Sequence, residues 1–241
     1  MINLNKQYNT LHVFGCSFTT GFFEGKNGSW GTHLANKLNC KCEIHGMESS
    51  SNYNMISELI EVCESNDMTN NCVGLQFTER CRREIWLSDE ITYLTYNLNG
   101  LLINDEENLV DQLKFMKKNV DYFAPILFDD RENLLRTIIS IITIKNYLKS
   151  KGIDFVMFEG ISTIGDDLHY VHSHNRYTKL LSKEYRNSLL NEKTFFSKYG
   201  PMQPFDRTHP LYDKEKNGGH PNSEFVKWWV DEMYEQIKNN Q

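Results

Sequence analysis

One serine near the start of the chain stands in a setting that suits nucleophilic catalysis. Ser17 lies in the segment 15–21 (GCSFTTG), directly after a short apolar run. A turn from a strand into a loop and helix can expose a serine Oγ and aim backbone N–H groups at an incoming oxyanion. The flanking glycines permit such a turn. The pattern predicts Ser17 as a nucleophile, and a Gly/Ser turn without chemistry is the alternative for this segment alone.

A histidine near the end of the chain is the candidate base. His220 precedes Pro221 and Asn222, and an amphipathic helix is predicted to begin directly after it. At such a junction beside a sheet, the imidazole could reach Ser17 and act first as general base and then as general acid. A capping or surface role is the alternative for an isolated His-Pro pair.

Taken together, the two segments resemble the first and last motif blocks of the SGNH (GDSL-type) hydrolases. That family opens with Gly-Asp-Ser after its first strand and closes with Asp-x-x-His-Pro before its last helix. In this chain Cys16 replaces the first aspartate and Asn217 the second. The resemblance implies that residue 217 orients the histidine, but an asparagine brings no negative charge. Asp213 could substitute if the loop bends, and a Ser–His dyad is the other interpretation.

A second Asp-x-x-His-Pro pattern competes for the role of base. It runs from Asp206 to Pro210, keeps the aspartate and would make His209 the base. We favour His220 because the amphipathic helix follows it directly. If His209 is the base, residues 211–221 form an extra loop.

The resemblance also implies an oxyanion hole. The family's second block, Gly-x-Ser-Asn before a helix, corresponds to residues 49–52 (SSSN). Its third block, Gly-x-Asn after strand three, corresponds to residues 74–78 (GLQFT). The implied donors are the backbone N–H groups of Ser17 and Ser49, with the side chain of Gln76 or Thr78. Residues 76–80, followed by Arg83 and Glu84, also look similar to SGNH-like proteins from bacteriophages.

Strands and helices alternate around these residues. Apolar runs predict buried strands at residues 11–18, 42–46, 72–77 and 154–160. Helical spacing predicts helices at 29–39, 51–64, 131–151 and 222–238, although the β-branched residues of 131–151 would also suit a strand. Further helices are predicted near 177–190 and, weakly, 109–120. The order predicts a parallel sheet with helices on both faces. Residues 1–241 are predicted to form one domain, with an insertion at about 78–130 that shapes the pocket.

The composition argues against nucleic acid and membranes as binding partners. The chain of 241 residues has a net charge of −6, which gives no reason to expect broad contact with nucleic acid or an anionic membrane. No apolar run approaches the ~20 residues of a membrane helix, and the first residues lack a secretory h-region. We therefore expect a cytoplasmic protein, although a protein of a virus particle would look the same. The six cysteines are expected to be free thiols.

Other polar clusters have weaker claims to function. A metal could bind to three histidines and to the two aspartates that precede them: His169, His172, His174, Asp166 and Asp167. This segment is, however, typical of a polar surface loop. Cys40-x-Cys42 lacks the spacing of a known zinc knuckle, and buried thiols are the better interpretation. The arginines at 80–83 could bind an anionic substrate or pair with neighbouring glutamates. No metal and no cofactor are predicted.

The resemblance and the pattern together predict a flavodoxin-like, three-layer α/β/α fold with a central parallel sheet. The predicted reaction is hydrolysis of a small-molecule or glycan ester, which could be an acetyl ester, through an acyl-enzyme on Ser17 with His220 as base. Two alternatives stay open: a non-catalytic binding or virion structural protein, and an acyltransferase with the same Ser–His pair. The sequence leaves the oligomeric state undetermined.

Overall fold

The computed structural model describes residues 1–21, 28–47, 50–78, 82–87, 90–97, 100–103, 118, 130–160 and 222–239. One sheet is built from β1 (Thr10–Phe14), β2 (Lys41–Ile44), β3 (Asn71–Phe77) and β7 (Asp154–Glu159). The helices are α1 (Ser17–Thr20), α2 (Trp30–Leu38), α3 (Asn52–Ser65), α4 (Asp130–Ser150) and α5 (Ser223–Asn239). The predicted strands and helices around the candidate serine are therefore present, with ends shifted by a few residues.

The four strands of this sheet are all parallel and lie in the order β2-β1-β3-β7. Thr10 of β1 lies opposite Lys41 of β2 on one side and Asn71 of β3 on the other. This order, in which the first strand lies between the second and third, is that of flavodoxin-like sheets. The predicted central parallel sheet is confirmed.

Helices cover both faces of the sheet. On one face α2 packs beside α5, where Lys37 Nζ lies 2.7 Å from Asp231 Oδ1. On the other face α3 packs beside α4, and the hydroxyl of Tyr147 donates a 2.8 Å hydrogen bond to Glu64. The architecture is therefore the three-layer α/β/α sandwich that the sequence predicts.

Local sequence explains where the helices begin and end. Ser29 caps α2 by accepting a hydrogen bond from the backbone N–H of Gly31, as its position before the helix predicts. Ser51 does the same for α3, accepting from Tyr53 and Asn54. Asn39 ends α2 with φ of 53°, a left-handed conformation that asparagine tolerates better than most residues. These caps fix the two helices that flank β2.

An aromatic cluster joins the sheet to both helices of one face. The Trp30 ring meets Phe158 edge-on at 4.8 Å between centroids, and Phe158 meets Trp229 of α5 at 4.5 Å. Gly74 permits the close approach of Trp30 to β3, because a Cβ there would lie 2.5 Å from the indole ring. Such aromatic contacts bury large apolar areas, so this cluster fixes α2 and α5 against the sheet.

A second sheet occupies part of the predicted insertion. Strands β4 (Arg82–Leu87), β5 (Glu90–Asn97) and β6 (Gly100–Ile103) pair antiparallel in that order. The sequence did not predict these strands. The predicted helix at 177–190 lies outside the described residues, as does the one at 109–120 except for Lys118. That residues 1–241 form one domain stays a prediction. In the parts of the chain that the structure describes, every helix is too short or too polar to cross a membrane.

Candidate functional site

The candidate site lies at the carboxyl ends of the neighbouring strands β1 and β3, where the two following connections pass to opposite faces of the sheet. The connection after β1 runs through α2 on one face, whereas the connection after β3 leads to α4 on the other. Adjacent parallel strands whose connections diverge in this way leave a crevice at their carboxyl ends, and ligands bind there in open α/β sheets. Ser17 follows β1 by three residues and Thr78 follows β3 directly, so both residues border this crevice.

Ser17 is held by a short, well-defined turn. Cys16 has extended backbone angles, and its carbonyl accepts hydrogen bonds from the N–H groups of Thr19 and Thr20 at 2.8 and 3.3 Å. Ser17 is thus the first residue of the single-turn helix α1, and its side chain is only partly buried. Gly21 ends the turn with φ of 71°, a conformation that favours glycine. The turn from strand to helix that the sequence predicts at Ser17 is present.

A buried polar network lies beneath this turn. Gln76 Oε1 accepts hydrogen bonds from the Thr19 hydroxyl at 2.5 Å and from the Trp30 indole N–H at 3.2 Å. The Trp30 N–H also lies 3.0 Å from Thr19 Oγ1, and Gln76 Nε2 lies 3.6 Å from Cys16 Sγ. Gln76 is completely buried. Its amide therefore ties β3, α1 and α2 together below Ser17, a role that the sequence did not reveal.

Thr78 is positioned by Asn52. The side-chain oxygen of Asn52 accepts a 2.8 Å hydrogen bond from the backbone N–H of Thr78, and its Nδ2 donates to the Thr78 carbonyl at 3.2 Å. Thr78 is almost fully buried, and within the described part of the chain its Oγ1 has no hydrogen-bond partner. Buried hydroxyls are normally paired. The Thr78 hydroxyl is thus an available donor at the carboxyl end of β3.

The segment after β2 runs along the end of β1. The backbone N–H of His45 donates to the Val13 carbonyl at 2.8 Å, and that of Met47 donates to the Gly15 carbonyl at 3.1 Å. Met47 and Ser50, which are joined by a 3.2 Å backbone hydrogen bond, flank residues 48–49. Ser49 itself lies outside the described residues.

The last helix begins at the same edge of the sheet. Trp30, the first residue of α2, and Trp229 of α5 both contact Phe158. Lys37, near the end of α2, contacts Asp231 and the Tyr234 ring, which lie further along α5. The two helices therefore run in the same direction. Since α2 begins at the carboxyl edge, so does α5.

The predicted histidines and their partners precede that helix and lie outside the described residues: His220, Asn217, Asp213, His209 and Asp206. The histidine cluster at 169–174 and Arg80 also lie outside the described residues. Asn222, the first described residue of this end of the chain, caps α5 by accepting from the N–H of Phe225 at 2.9 Å.

The sequence analysis also missed a group of three polar side chains on β1 and β2. His12 Nδ1 lies 3.1 Å from His45 Nε2 and 3.2 Å from Glu43 Oε2. Burial lowers the pKa of both imidazoles, and the nearby Glu43 carboxylate only partly offsets this effect. The signal in the sequence was the Glu43-x-His45 spacing, which puts both side chains on one face of a strand.

The described cysteines are free thiols, as expected: Cys16, Cys40, Cys42, Cys63 and Cys72. Their reactivities should differ. A hydrogen bond between two of the thiols lowers the pKa of Cys40 and raises that of Cys72, where burial acts in the same direction. Burial raises the pKa of Cys63 to about 11.

Iodoacetamide at pH 8 should therefore modify Cys40 at least about tenfold faster than Cys63 or Cys72, because the thiolate is the nucleophile. Time-resolved peptide mass spectrometry measures the three rates in one sample. Equal rates, or faster modification of Cys63 or Cys72, would contradict this assignment of the pKa shifts.

Comparisons with known proteins give structural likenesses only. No protein-family model and no curated protein matches the sequence. Among solved structures, the chain is similar to a psychrotrophic esterase from Pseudoalteromonas sp., with 12% identity, a TM-score of 0.49 and coverage of 96% of this chain and 97% of that one. It is also similar to a lipase/acylhydrolase from Enterococcus faecalis, with 12% identity, a TM-score of 0.47 and 96% coverage of each chain. At these values the likeness does not carry an activity over to this chain, and nothing in it supports a likeness to bacteriophage proteins.

Proposed function

We propose that this chain is an SGNH-type serine ester hydrolase, in which Ser17 forms an acyl-enzyme and His220 is the general base. Ser17 Oγ attacks the carbonyl carbon of the ester while His220 accepts its proton. The tetrahedral intermediate collapses, the ester C–O bond breaks, and His220 returns the proton to the leaving alcohol. Water then attacks the acyl-serine with His220 again as base, which releases the carboxylic acid and restores Ser17.

The direction of α5 is the observation that supports this pairing. Ser17 lies at the carboxyl end of β1, and the contacts of Trp30, Phe158 and Trp229 put the start of α5 at that same edge of the sheet. His220 precedes the described start of this segment, Asn222, by two residues. A chain of two residues spans at most ~7 Å, which supports our proposal that the imidazole lies near that edge.

The environment of the two candidate side chains favours Thr78 over Gln76 as the oxyanion donor. The amide of Gln76 is buried among Cys16, Thr19 and Trp30, with which it already interacts. The Thr78 hydroxyl has no such partner within the described residues. We therefore propose an oxyanion hole made of the backbone N–H groups of Ser17 and Ser49 and the Thr78 hydroxyl, with Gln76 as a positioning residue. Asn217 or Asp213 would orient His220.

The proposed substrate is a small-molecule or glycan ester, and the test uses two simple probes. Purified full-length protein is incubated with p-nitrophenyl acetate and, separately, with a fluorophosphonate that labels activated serines. We expect hydrolysis and one labelled site, identified as Ser17 by peptide mass spectrometry. Absence of labelling would overturn the proposal and favour a non-catalytic binding or structural protein, whereas labelling at another residue would overturn the assignment of Ser17 as nucleophile. Transfer of the acetyl group to added alcohol in preference to water would identify an acyltransferase instead.

A further inference from the structure

Three potential metal ligands converge on the face of the sheet that α3 covers. His12 of β1 and Glu43 of β2 are directly opposite each other in the parallel register, and His45 follows Glu43 by two residues, so all three side chains share that face. His12 Nδ1 lies 3.1 Å from His45 Nε2 and 3.2 Å from Glu43 Oε2, and the last two atoms are 4.0 Å apart. The imidazoles of His12 and His45 and the carboxylate of Glu43 therefore surround a single point.

These separations suit a small divalent ion. Ligands bound to zinc at about 2.0–2.1 Å and tetrahedral angles are about 3.3 Å from one another. Two of the three separations lie close to that value. The third is longer, but it involves Glu43, whose side chain is 55% exposed and can move towards the histidines. Two imidazoles and a carboxylate form a donor set that zinc uses with a fourth position open to water.

The surroundings hold the histidines in place. His12 is buried, and the His45 ring stacks on Phe14 with 4.7 Å between centroids and 11° between planes. A second carboxylate, Glu58 of α3, has Oε1 4.0 Å from His45 Nδ1, the ring nitrogen that faces away from the cluster. A carboxylate that accepts a hydrogen bond from the second ring nitrogen of a ligating histidine fixes its tautomer and orientation and strengthens the ligand. At 4.0 Å Glu58 is beyond hydrogen-bond distance, so its carboxylate has to approach His45 when the metal binds.

We propose that His12, Glu43 and His45 form a zinc-binding site, with Glu58 as the carboxylate that orients His45. The site uses none of the groups assigned to ester hydrolysis, so it goes beyond the proposed function. It would link β2 to β1 and to α3. The alternative is a hydrogen-bonded group of side chains that binds no metal.

The test is zinc binding by the full-length protein, stripped with a chelator, dialysed and kept reduced. Titration in competition with a chromophoric chelator should show one equivalent of bound zinc. Glu43→Gln and His45→Gln should each weaken binding at least tenfold, and Glu58→Gln should weaken it about tenfold or more. Glu235→Gln is the matched control, because this exposed carboxylate is on α5, which covers the opposite face of the sheet. It should leave the affinity unchanged.

Cobalt(II) separates this site from one made of cysteines. The cobalt-loaded protein should show visible ligand-field bands without the near-ultraviolet charge-transfer band that thiolates produce. Circular dichroism verifies that each variant is folded, and Glu43→Gln, at a half-exposed position, provides a test that does not depend on the core. The proposal is overturned if wild type binds no zinc, if both ligand variants bind as tightly as wild type, or if the cobalt spectrum contains thiolate bands. None of these results bears on Ser17.

Discussion

Ser17→Ala is expected to remove fluorophosphonate labelling and to lower kcat for p-nitrophenyl acetate by at least about a thousandfold. The reason is that the variant lacks the only oxygen that can carry the acyl group in the proposed mechanism, and loss of a serine nucleophile is among the largest effects of a single substitution on an enzyme. Stopped-flow or steady-state absorbance at the nitrophenolate band measures the rate, and in-gel fluorescence measures the labelling.

A matched serine variant shows whether the effect is specific. Ser150→Ala removes a hydroxyl at the exposed end of α4, where Ser150 Oγ donates only to the Tyr147 carbonyl at 2.7 Å. Its rate and labelling should equal those of wild type. Because Ser17 is only partly buried, Ser17→Ala should keep the wild-type circular dichroism spectrum. Equal labelling of Ser17→Ala and wild type would disprove the assignment of the nucleophile.

Gln76→Leu is expected to reduce the free energy of unfolding by about 2–4 kcal/mol. The substitution introduces an apolar side chain of similar size and removes the acceptor of two buried donors, the Thr19 hydroxyl and the Trp30 indole N–H. A buried polar group that loses its partner costs about 1–3 kcal/mol, and here the remaining contact between Thr19 and Trp30 limits the loss. The corresponding fall in Tm is about 4–16 °C.

Gln7→Leu provides the control for this effect, because it makes the same chemical change at an exposed residue. It should alter the free energy of unfolding by no more than about 0.5 kcal/mol. Thr19→Val completes a double-mutant cycle with Gln76→Leu, and the two should be non-additive by about 0.5–3 kcal/mol because their side chains are in contact. Urea unfolding followed by circular dichroism measures wild type, the three single variants and the double variant. A Gln76→Leu variant as stable as Gln7→Leu would show that the network does not stabilise the fold.

Much of the fold could be predicted because its signals are local. The strands β1 and β3 are continuous apolar runs, and Ser29 and Ser51 are capping residues placed directly before helical patterns. The antiparallel sheet was missed although residues 90–96 are rich in strand-forming types and Asn99-Gly100 is a strong hairpin signal. Charged residues in β4 interrupt the strand pattern, so the sequence analysis predicts an insertion at about 78–130 with only a weak helix at 109–120.

The site was harder to predict because its contacts join distant parts of the chain. A glutamine at the end of a strand looks the same in the sequence whether it faces a substrate or, like Gln76, is buried against Trp30. The three side chains of the proposed zinc site become neighbours only through the register of β1 and β2, which the sequence does not specify. The turn at Ser17 could be predicted because the residues that form it, from Cys16 to Gly21, are contiguous.

The short strand β2, which is the outer strand of the sheet as far as the structure describes the chain, has a consequence for how molecules of this protein can associate. It has only four residues, and the side chains of Lys41 and Glu43 are exposed along it. An unpaired strand border is a template for aggregation, and brevity and charge are two of the features by which native proteins protect it. This border of the sheet is therefore poorly suited to joining a second molecule into a continuous intermolecular sheet, and self-association would have to use a surface of another kind.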